Sequence, residues 1–418
     1  MSTDYEIGTV AYMTGEYPKV SHTFIQREIE ALRSLGVRIE TCAARRPPAD
    51  TVVGATQADE SARTFYVVEA AKRPLRLAAA HVAVLRRAPR RWLSALKLAL
   101  RTRPPGTRAL AWQIFYFLEA AVLVQHLRAR GVRHIHNHFG NSSCSLTMIA
   151  SEMSGIPYSF TLHGPAIFFE AHWWRLDQKI ARARFVACIS HFARSQAMLF
   201  SDQSHWDRLK IIHCGVTPAN YRKAETQAPG PRVLFVGRLA AVKGAPLLLR
   251  AFAAQAGDHP GARLAIVGDG PDRAALEAEA RALGLAGRVD FLGYQPQHAV
   301  AQELSRSDML VLPSFAEGVP VVLMEAMAAT LPVIASRVAG VPELVEDGVS
   351  GFVTPPGDLA TLTERLGRLL ADADLRARMG AAGRAKVVAE FDVGTEAAKL
   401  ARAFAEAGEG ERCAITSS

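Results

Sequence analysis

The sequence predicts an α/β protein of two domains, each a parallel sheet wrapped by helices, and three observations predict it. At 418 residues the chain exceeds what one hydrophobic core usually organises. Short apolar strands alternate with loops and amphipathic helices through both halves, the pattern that builds parallel sheets covered on both faces. Between the halves, Thr217 to Pro231 is rich in Pro, Gly and polar residues and reads as a linker.

Ile7 to Met13 is the first strand, and Thr14-Gly15-Glu16-Tyr17-Pro18 reads as a turn. A helix from about Ser21 carries Phe24, Ile25, Ile29, Leu32 and Leu35 at helical spacing; Gly36 ends it and Val37 to Cys42 resumes as strand. That is a βαβ opening. Two or more helices fill 73–130, and strands recur at His134 to Phe139, Tyr158 to Leu162, Phe185 to Ile189 and Lys210 to Cys214. Beyond the linker the pattern restarts, with strands at Val233 to Val236, Leu264 to Val267, Val289 to Leu292, Met309 to Leu312 and Val333 to Ala335. A last helix, roughly Thr395 to Ala407, follows a break at Phe391 to Gly394. The expected organisation is a Rossmann-like domain over 1–216, a linker over 217–231, a second Rossmann-like domain over 232–390, and a terminal helix and tail over 391–418.

Charge is divided unevenly. Residues 1–220 hold 28 Lys and Arg against 16 Asp and Glu, and residues 221–418 hold 21 against 24. A basic first half fits a partner-facing domain better than a uniform coat for nucleic acid, and no nucleic-acid partner is expected. The five cysteines are scattered without a close pair, which points to a reduced, cytoplasmic setting. Asp4 and Glu6 precede the first apolar run without a basic leader, arguing against a secretory signal. The most apolar span, Leu110 to Leu127, is interrupted by Gln113, Glu119, Gln125 and His126 and is not read as a membrane helix.

Several motifs carry chemistry. In Pro313-Ser-Phe-Ala-Glu317-Gly-Val-Pro-Val-Val-Leu-Met-Glu325-Ala-Met-Ala, Glu317 sits in a loop after a strand and Glu325 in an apolar helix. Open α/β sheets bind ligands at such strand ends, and the run around Glu325 is too apolar for an idle charge. Phe235-Val-Gly237-Arg238-Leu-Ala-Ala-Val-Lys243-Gly244 is strand, glycine turn and helix start with a basic residue at each end, which suits phosphate oxygens. It is not a Walker loop, because Ala245 occupies the place of the required hydroxyl. Gly268-Asp-Gly270-Pro271 lets a ligand approach the backbone but lacks dinucleotide spacing, which counts against NAD. His163-Gly164 ends a strand, either as a core histidine or as one facing a cleft. His134, His136 and His138 alternate and so share one strand face; no carboxylate accompanies them, and no metal is expected. Asp372-Ala-Asp374 reads as a helix cap.

Together these motifs resemble the retaining, two-Rossmann-domain (GT-B) glycosyltransferases of family 4. The matching elements are Gly237-Arg238, four residues, Lys243-Gly244; Glu317, seven residues, Glu325; and His163-Gly164. The His134-Ile-His136-Asn-His138-Phe139 run is similar to the His-Ile-His-Ala-His-Phe segment of exopolysaccharide and colanic-acid-type members. Their Pro, two residues, Ser-Glu-Thr-Phe opening appears as Pro18-Lys-Val-Ser21-His22-Thr23-Phe24. The resemblance runs from about Val10 to Phe391 and is strongest over 233–357.

The resemblance implies parallel sheets facing a central cleft, an acceptor-side N-terminal domain and a final helix that crosses back onto it. A hexosyl group would pass from a UDP- or GDP-linked sugar to an acceptor hydroxyl, with neither cofactor nor metal. Arg238 and Lys243 would hold the diphosphate and stabilise its leaving charge, Glu317 the hexose, Glu325 the ribose, and His163 the sugar near the reacting centre. Gly237, Gly268, Gly270, Gly318 and Val319 complete the expected donor site, and Gly15 the approach to phosphate or acceptor. His22 and His138 are the acceptor-side candidates. This chain departs from the family at Thr330 (usually Gly), Thr217 (usually Asp) and His22 (usually Glu). A sugar-nucleotide 2-epimerase of the same fold, or a catalytically silent nucleotide-sugar-binding subunit, remain alternatives.

Between Glu69 and Glu119 there is no acidic residue, while eleven Lys and Arg from Lys72 to Arg108 interleave with Leu, Val and Trp92. The apolar side can pack on the sheet, or the segment can rest on anionic lipid. The expectation is a peripheral protein on the inner face of the plasma membrane, with a lipid-linked saccharide as acceptor.

Overall fold

The computed structural model describes residues 7–19, 22–48, 52, 54–224 and 230–416. It forms two compact units, Met1–His213 with Gly394–Ser418, and Cys214–Val393.

In the first unit, β1 (Thr9–Glu16), β2 (Arg38–Arg45), β3 (Phe65–Tyr66), β4 (Val132–His138), β5 (Tyr158–Leu162), β6 (Val186–Cys188) and β7 (Leu209–Ile211) form one sheet in the order β3-β2-β1-β4-β5-β6-β7. Every pairing is parallel. The order reverses between β1 and β4, so the loops leaving these two strands diverge and open a crevice at their carboxyl ends. β1 runs on through the stretch expected to turn, placing Gly15 inside the strand. The reason is pairing: Thr14 and Glu16 keep their register with Ala43 and Arg45. The first helix is Thr23–Ser34, with Ile25, Ile29 and Leu32 buried; Ser21 lies outside the described residues.

Three long helices, Pro74–Arg87, Pro89–Arg101 and Thr107–Ala129, fill the basic region. The third is long and apolar enough to cross a membrane by length and composition alone. It buries Phe117, Ala120 to Val124 and Leu127 inside the unit. Burial pushes its Glu119 carboxyl up to about 7, the cost of one charge on an otherwise apolar helix.

The terminal helix Val393–Thr416 sets Ala397, Leu400, Ala401, Phe404 and Ala407 into the core that also holds Val10, Tyr12, Ile25 and Phe185. Glu396 on this helix accepts the His213 amide at 2.8 Å.

In the second unit, β8 (Arg232–Val236), β9 (Arg263–Val267), β10 (Val289–Gly293), β11 (Met309–Leu312), β12 (Val333–Ser336) and β13 (Gly351–Thr354) lie in the order β10-β9-β8-β11-β12-β13, all parallel. The reversal falls between β8 and β11. β8, β9, β11 and β12 are near-continuous runs of buried apolar residues, as strands covered on both faces must be.

The start of the stretch read as a linker is fastened to this unit. Val216 bridges Asp392, and Arg384 donates to the carbonyls of Pro218 (3.4 Å) and Tyr221 (3.2 Å). Pro and Gly set local conformation, but tertiary hydrogen bonds decide whether a segment is loose. Residues 225–229 lie outside the described ones.

Candidate functional site

The C-terminal unit gathers its predicted residues at the β8–β11 reversal. Gly237 and Arg238 follow β8, a short 3-10 turn covers Ala241–Lys243, and the helix Ala245–Gln255 begins after Gly244. Gly244 has φ +65° and its Cα faces the Pro313 carbonyl, where a Cβ would stand 2.1 Å from the oxygen. Gly268, after β9, is equally forced: φ is +134°, and a Cβ would lie 1.9 Å from the Gly237 oxygen. The two strand-end turns are stitched together by Gly237 N–H to Val267 O (3.0 Å) and Leu239 N–H to Asp269 O (2.9 Å). Gly270 lies against Leu239 in the same way.

From β11, the loop after Leu312 is tied back by Phe315 N–H to Val242 O at 2.8 Å. Lys243 Nζ stands 2.5 Å from Glu317 Oε1, both largely shielded. Arg238 is exposed and makes no side-chain hydrogen bond or ion pair among the described residues. The helix Val321–Ala328 starts only after Val319 and Pro320, so Glu317 is loop and Glu325 lies in the second turn. Gly318 accepts the Gly340 amide (3.0 Å) and Val319 is buried. Glu325 is 4% exposed and accepts from Gln297 Nε2 at 2.8 Å; Gln297 also reaches the Tyr221 hydroxyl at 3.1 Å.

The N-terminal unit gathers imidazoles at its own reversal. His134, His136 and His138 share one face of β4, linked to β5 by short bonds. His134 Nε2 meets Ser159 Oγ (2.7 Å), Ser159 Oγ meets His136 Nδ1 (2.8 Å), and His136 Nε2 meets Thr161 Oγ1 (2.9 Å). His163, just past β5, places Nε2 2.7 Å from His138 Nδ1 and is enclosed by the rings of Phe24 (4.7 Å) and Phe139 (4.8 Å). Burial, then the neighbouring His138 and His22, holds the His163 imidazole well below the usual histidine range. Burial likewise pushes His134 down to about 3, and burial with the Lys19 charge pushes His22 down to about 4. His22 itself packs against Phe139 at 5.2 Å. Gly15 has nothing within 4 Å of where a Cβ would stand.

One sequence expectation is overturned here. A carboxylate does accompany the histidines: Glu28, on the first helix, lies 3.3 Å from His138 Nε2, and ligand atoms of Glu28, His136 and His138 fall within 4.8 Å of one another. Sequence reasoning missed it because Glu28 is 110 residues from His138 and only the βαβ crossover brings them together. The available signal was its place in the first helix, one turn from Phe24 and beside the buried Ile25 and Ile29. Also missed was Lys179, fully buried, donating to the carbonyls of Gly140 (2.7 Å) and Asn141 (3.0 Å) and pushed down to about 8 by burial. It fixes the chain directly after Phe139, whose φ of +72° is costly for a non-glycine residue.

In the basic region, Trp92 turns inward, Nε1 donating to His81 Nδ1 at 3.0 Å with its ring edge on Phe117. Leu75, Val82, Leu85 and Leu93 are exposed instead. Asp372 caps the helix Ala373–Glu390 by accepting the Leu375 amide at 2.8 Å.

Residues 218–386 match the family model described as glycosyl transferases group 1. The chain is 28% identical to an alpha-D-kanosaminyltransferase from Streptomyces kanamyceticus, over 66% of this chain and 77% of that protein. It is 33% identical to the amylovoran biosynthesis glycosyltransferase AmsK from Erwinia amylovora, over 44% of this chain and 48% of that one. The fold superposes on Anabaena HepE, solved with UDP-glucose, with a TM-score of 0.72 at 20% identity, over 96% of this chain and 100% of that one. Residues 218–386 thus form a glycosyl transferases group 1 domain, and the chain is a glycosyltransferase of the GT-B fold.

Proposed function

We propose that the enzyme is a retaining hexosyltransferase of family 4, moving a hexosyl group from a UDP- or GDP-linked sugar to the hydroxyl of a lipid-linked saccharide in bacterial exopolysaccharide synthesis. The observation that carries this reading is the Lys243–Glu317 pair at the β8–β11 reversal, beside the two glycine turns. A diphosphate there competes with Glu317 for Lys243 and finds Arg238 exposed to meet it. Negative charge grows on the departing diphosphate as the glycosidic bond lengthens, and two fixed cations stabilise it more in the transition state than in the ground state. They do what a divalent ion would otherwise do, so the reaction runs without metal.

Glu317, released from Lys243, accepts from hexose hydroxyls. Glu325, shielded in its helix, takes the ribose hydroxyls, and His163 meets the sugar near the reacting carbon. No side chain is assigned as a covalent nucleophile, and retention follows from front-face attack assisted by the leaving phosphate. The fold neighbour HepE, solved with UDP-glucose, supports a nucleotide-sugar donor, and AmsK supports a polysaccharide pathway. A panel of nucleotide sugars tested by thermal shift, followed by NMR of the product's anomeric proton, decides the matter. A donor near 100 times its Kd raises stability by roughly 2.7 kcal/mol; an inverted anomeric product, activity lost to chelator, or an epimerised free nucleotide sugar would reject the reading.

For the acceptor side, support comes from the helices Pro74–Arg87 and Pro89–Arg101. Their exposed Leu75, Val82, Leu85 and Leu93 alternate with Arg86, Arg87, Arg90 and Arg91. Beside them a cavity of about 760 Å3 is lined by Arg90, Arg91, Arg182, Arg184 and Arg208 against the single carboxylate Glu152. Anionic lipid gains about 1 kcal/mol per close Lys or Arg. In co-sedimentation, vesicles containing anionic lipid should retain the protein and neutral ones release it. Exchange of Arg86, Arg87, Arg90 and Arg91 for Ser together should abolish the difference.

A further inference from the structure

The amino ends of β5, β6 and β7 border a cavity of about 760 Å3 that takes no part in the transfer chemistry described above. The start of the helix Pro89–Arg101 supplies Arg90 and Arg91, and the end of the helix Ser142–Ser154 supplies Glu152. Arg182 closes the helix Leu176–Arg182, Arg184 lies in the turn before β6, and Arg208 directly precedes β7. His138 and His163 lie at the opposite, carboxyl ends of β4 and β5, so this is not the crevice assigned to the sugar.

Charge does not balance in the cavity. Glu152 is the one carboxylate among its described lining residues; it already accepts from the Ser94 hydroxyl, and Arg182 stands 3.9 Å away. Arg208 donates to the carbonyls of Ala181 (2.7 Å) and Ala183 (3.3 Å) at the end of its neighbouring helix. Five guanidiniums against one carboxylate and two helix carboxyl ends, at about half a negative charge each, leave about three positive charges unbalanced. More cations crowd beside it: the Arg128 guanidinium is lowered from its ordinary value first by burial and then by the charges of Arg87 and Arg91. The chain is shaped to this crowding at Gly155. Its φ is +81°, and a Cβ there would stand 2.2 Å from Arg91 Nη1, so the glycine lets that guanidinium lie against the helix end.

We propose that this cavity is a binding site for a phosphate group, a phosphomonoester or a diphosphate, separate from the donor site. The inference goes beyond the attraction of the basic helices to lipid, because it assigns the anion to one cavity built from several segments rather than to a charged surface. Guanidiniums converging on one volume suit a compact, multiply charged anion, since each planar fork donates to two oxygens at once. A lone carboxylate offers too few oxygens and too little charge for all of them. The phosphate can belong to a lipid headgroup or to a soluble ester, and the recognising chemistry is the same.

The test is calorimetric titration of inorganic pyrophosphate into the full-length protein carrying Arg238→Ala and Lys243→Ala, so that the proposed donor site does not take up the probe. One equivalent should bind. Arg90→Ser with Arg182→Ser should weaken binding about tenfold or more. Arg86→Ser with Arg87→Ser, outside the cavity lining, should change it by no more than about twofold, as screened charges do. Glu152→Gln leaves an oxygen for Ser94 and removes the opposing charge, so it should tighten binding by about threefold, a gain that a folding defect does not produce. Co-sedimentation with phosphatidylglycerol vesicles separates the sources. Release by pyrophosphate, but not by chloride at the same ionic strength, assigns the cavity to a lipid headgroup; sedimentation that pyrophosphate leaves unchanged, or that does not occur, assigns it to a soluble phosphate ester. A second equivalent of pyrophosphate bound by the wild type reports on the donor site alone, so that reading stands or falls separately. No binding of pyrophosphate in the doubly substituted protein, equal losses from the two arginine pairs, or an unchanged affinity in Glu152→Gln would each overturn the proposal.

Discussion

Glu317 and Lys243 hold each other's charge 2.5 Å apart in a partly buried turn, an arrangement that is costly to break from one side only. On the proposed assignment, Lys243→Ala removes countercharge from the diphosphate and leaves Glu317 unbalanced. We expect kcat/KM for the donor to fall by about 100-fold. Arg238 differs, because it is exposed and unpaired among the described residues. Arg238→Ala should lower turnover without moving the melting temperature. If Glu325 holds the ribose as proposed, it is remote from the bond being broken, and Glu325→Ala should raise the donor KM more than it lowers kcat. Steady-state kinetics beside thermal denaturation separate the three, and identical patterns for Glu325→Ala and Lys243→Ala would remove the division of labour between them.

At the scale of elements, the end of the helix Val321–Ala328 carries backbone strain. Leu331 N–H bonds to Ala326 O (2.9 Å) and Thr330 N–H to Met327 O (3.0 Å), the paired bonds of a Schellman motif. That motif needs a left-handed residue at the position where Thr330 has φ +60°. A β-branched side chain there costs of order 1–2 kcal/mol, whereas glycine costs only its greater freedom in the unfolded chain. The glycine usual at this point in the family that the sequence resembles thus has a physical reason, and Thr330 here is strained. Thr330→Gly should raise the melting temperature by roughly 2–4 °C, the shift that about 1 kcal/mol gives in a unit of this size. A lower melting temperature would mean that the Thr330 hydroxyl, bonded to the Ala329 carbonyl, is worth more than the strain.

At the scale of the whole molecule, the two units should respond differently to acid. His22 and His134 are pushed down to about 4 and about 3, and His136 and His163 are lowered well below the ordinary value, chiefly by burial. All four lie in the first unit. A histidine whose folded pKa is depressed adds stability above its unfolded pKa of about 6.5; that stability is lost as pH falls toward the folded value, because the unfolded chain then binds the extra protons. All five tryptophans also lie in this unit, at 92, 112, 173, 174 and 206. Tryptophan fluorescence should therefore report unfolding between about pH 6 and pH 4, at higher pH than the loss of helical circular dichroism over the whole chain. Coincident transitions by the two probes would show that the histidines do not set the acid limit of the first unit.

Both parallel sheets, and the placing of Gly237, Lys243, Glu317 and Glu325 on strand ends and helix, were legible in the sequence, because they depend on local periodicity and on glycine turns. β3 was not, since two residues carry too little pattern to separate from loop, and β13 was not, since Gly351–Thr354 holds only Phe352 and Val353 as apolar residues where β11 holds four. Nor was it legible that Thr217 to Tyr221 is fastened by Arg384, or that Trp92 turns inward onto His81 and Phe117. The sequence by itself determined that three histidines share one face of a strand. Only the tertiary structure decided that Glu28 meets them, because a period of two residues fixes which way a side chain points, while the packing of a helix over the sheet fixes what it points at.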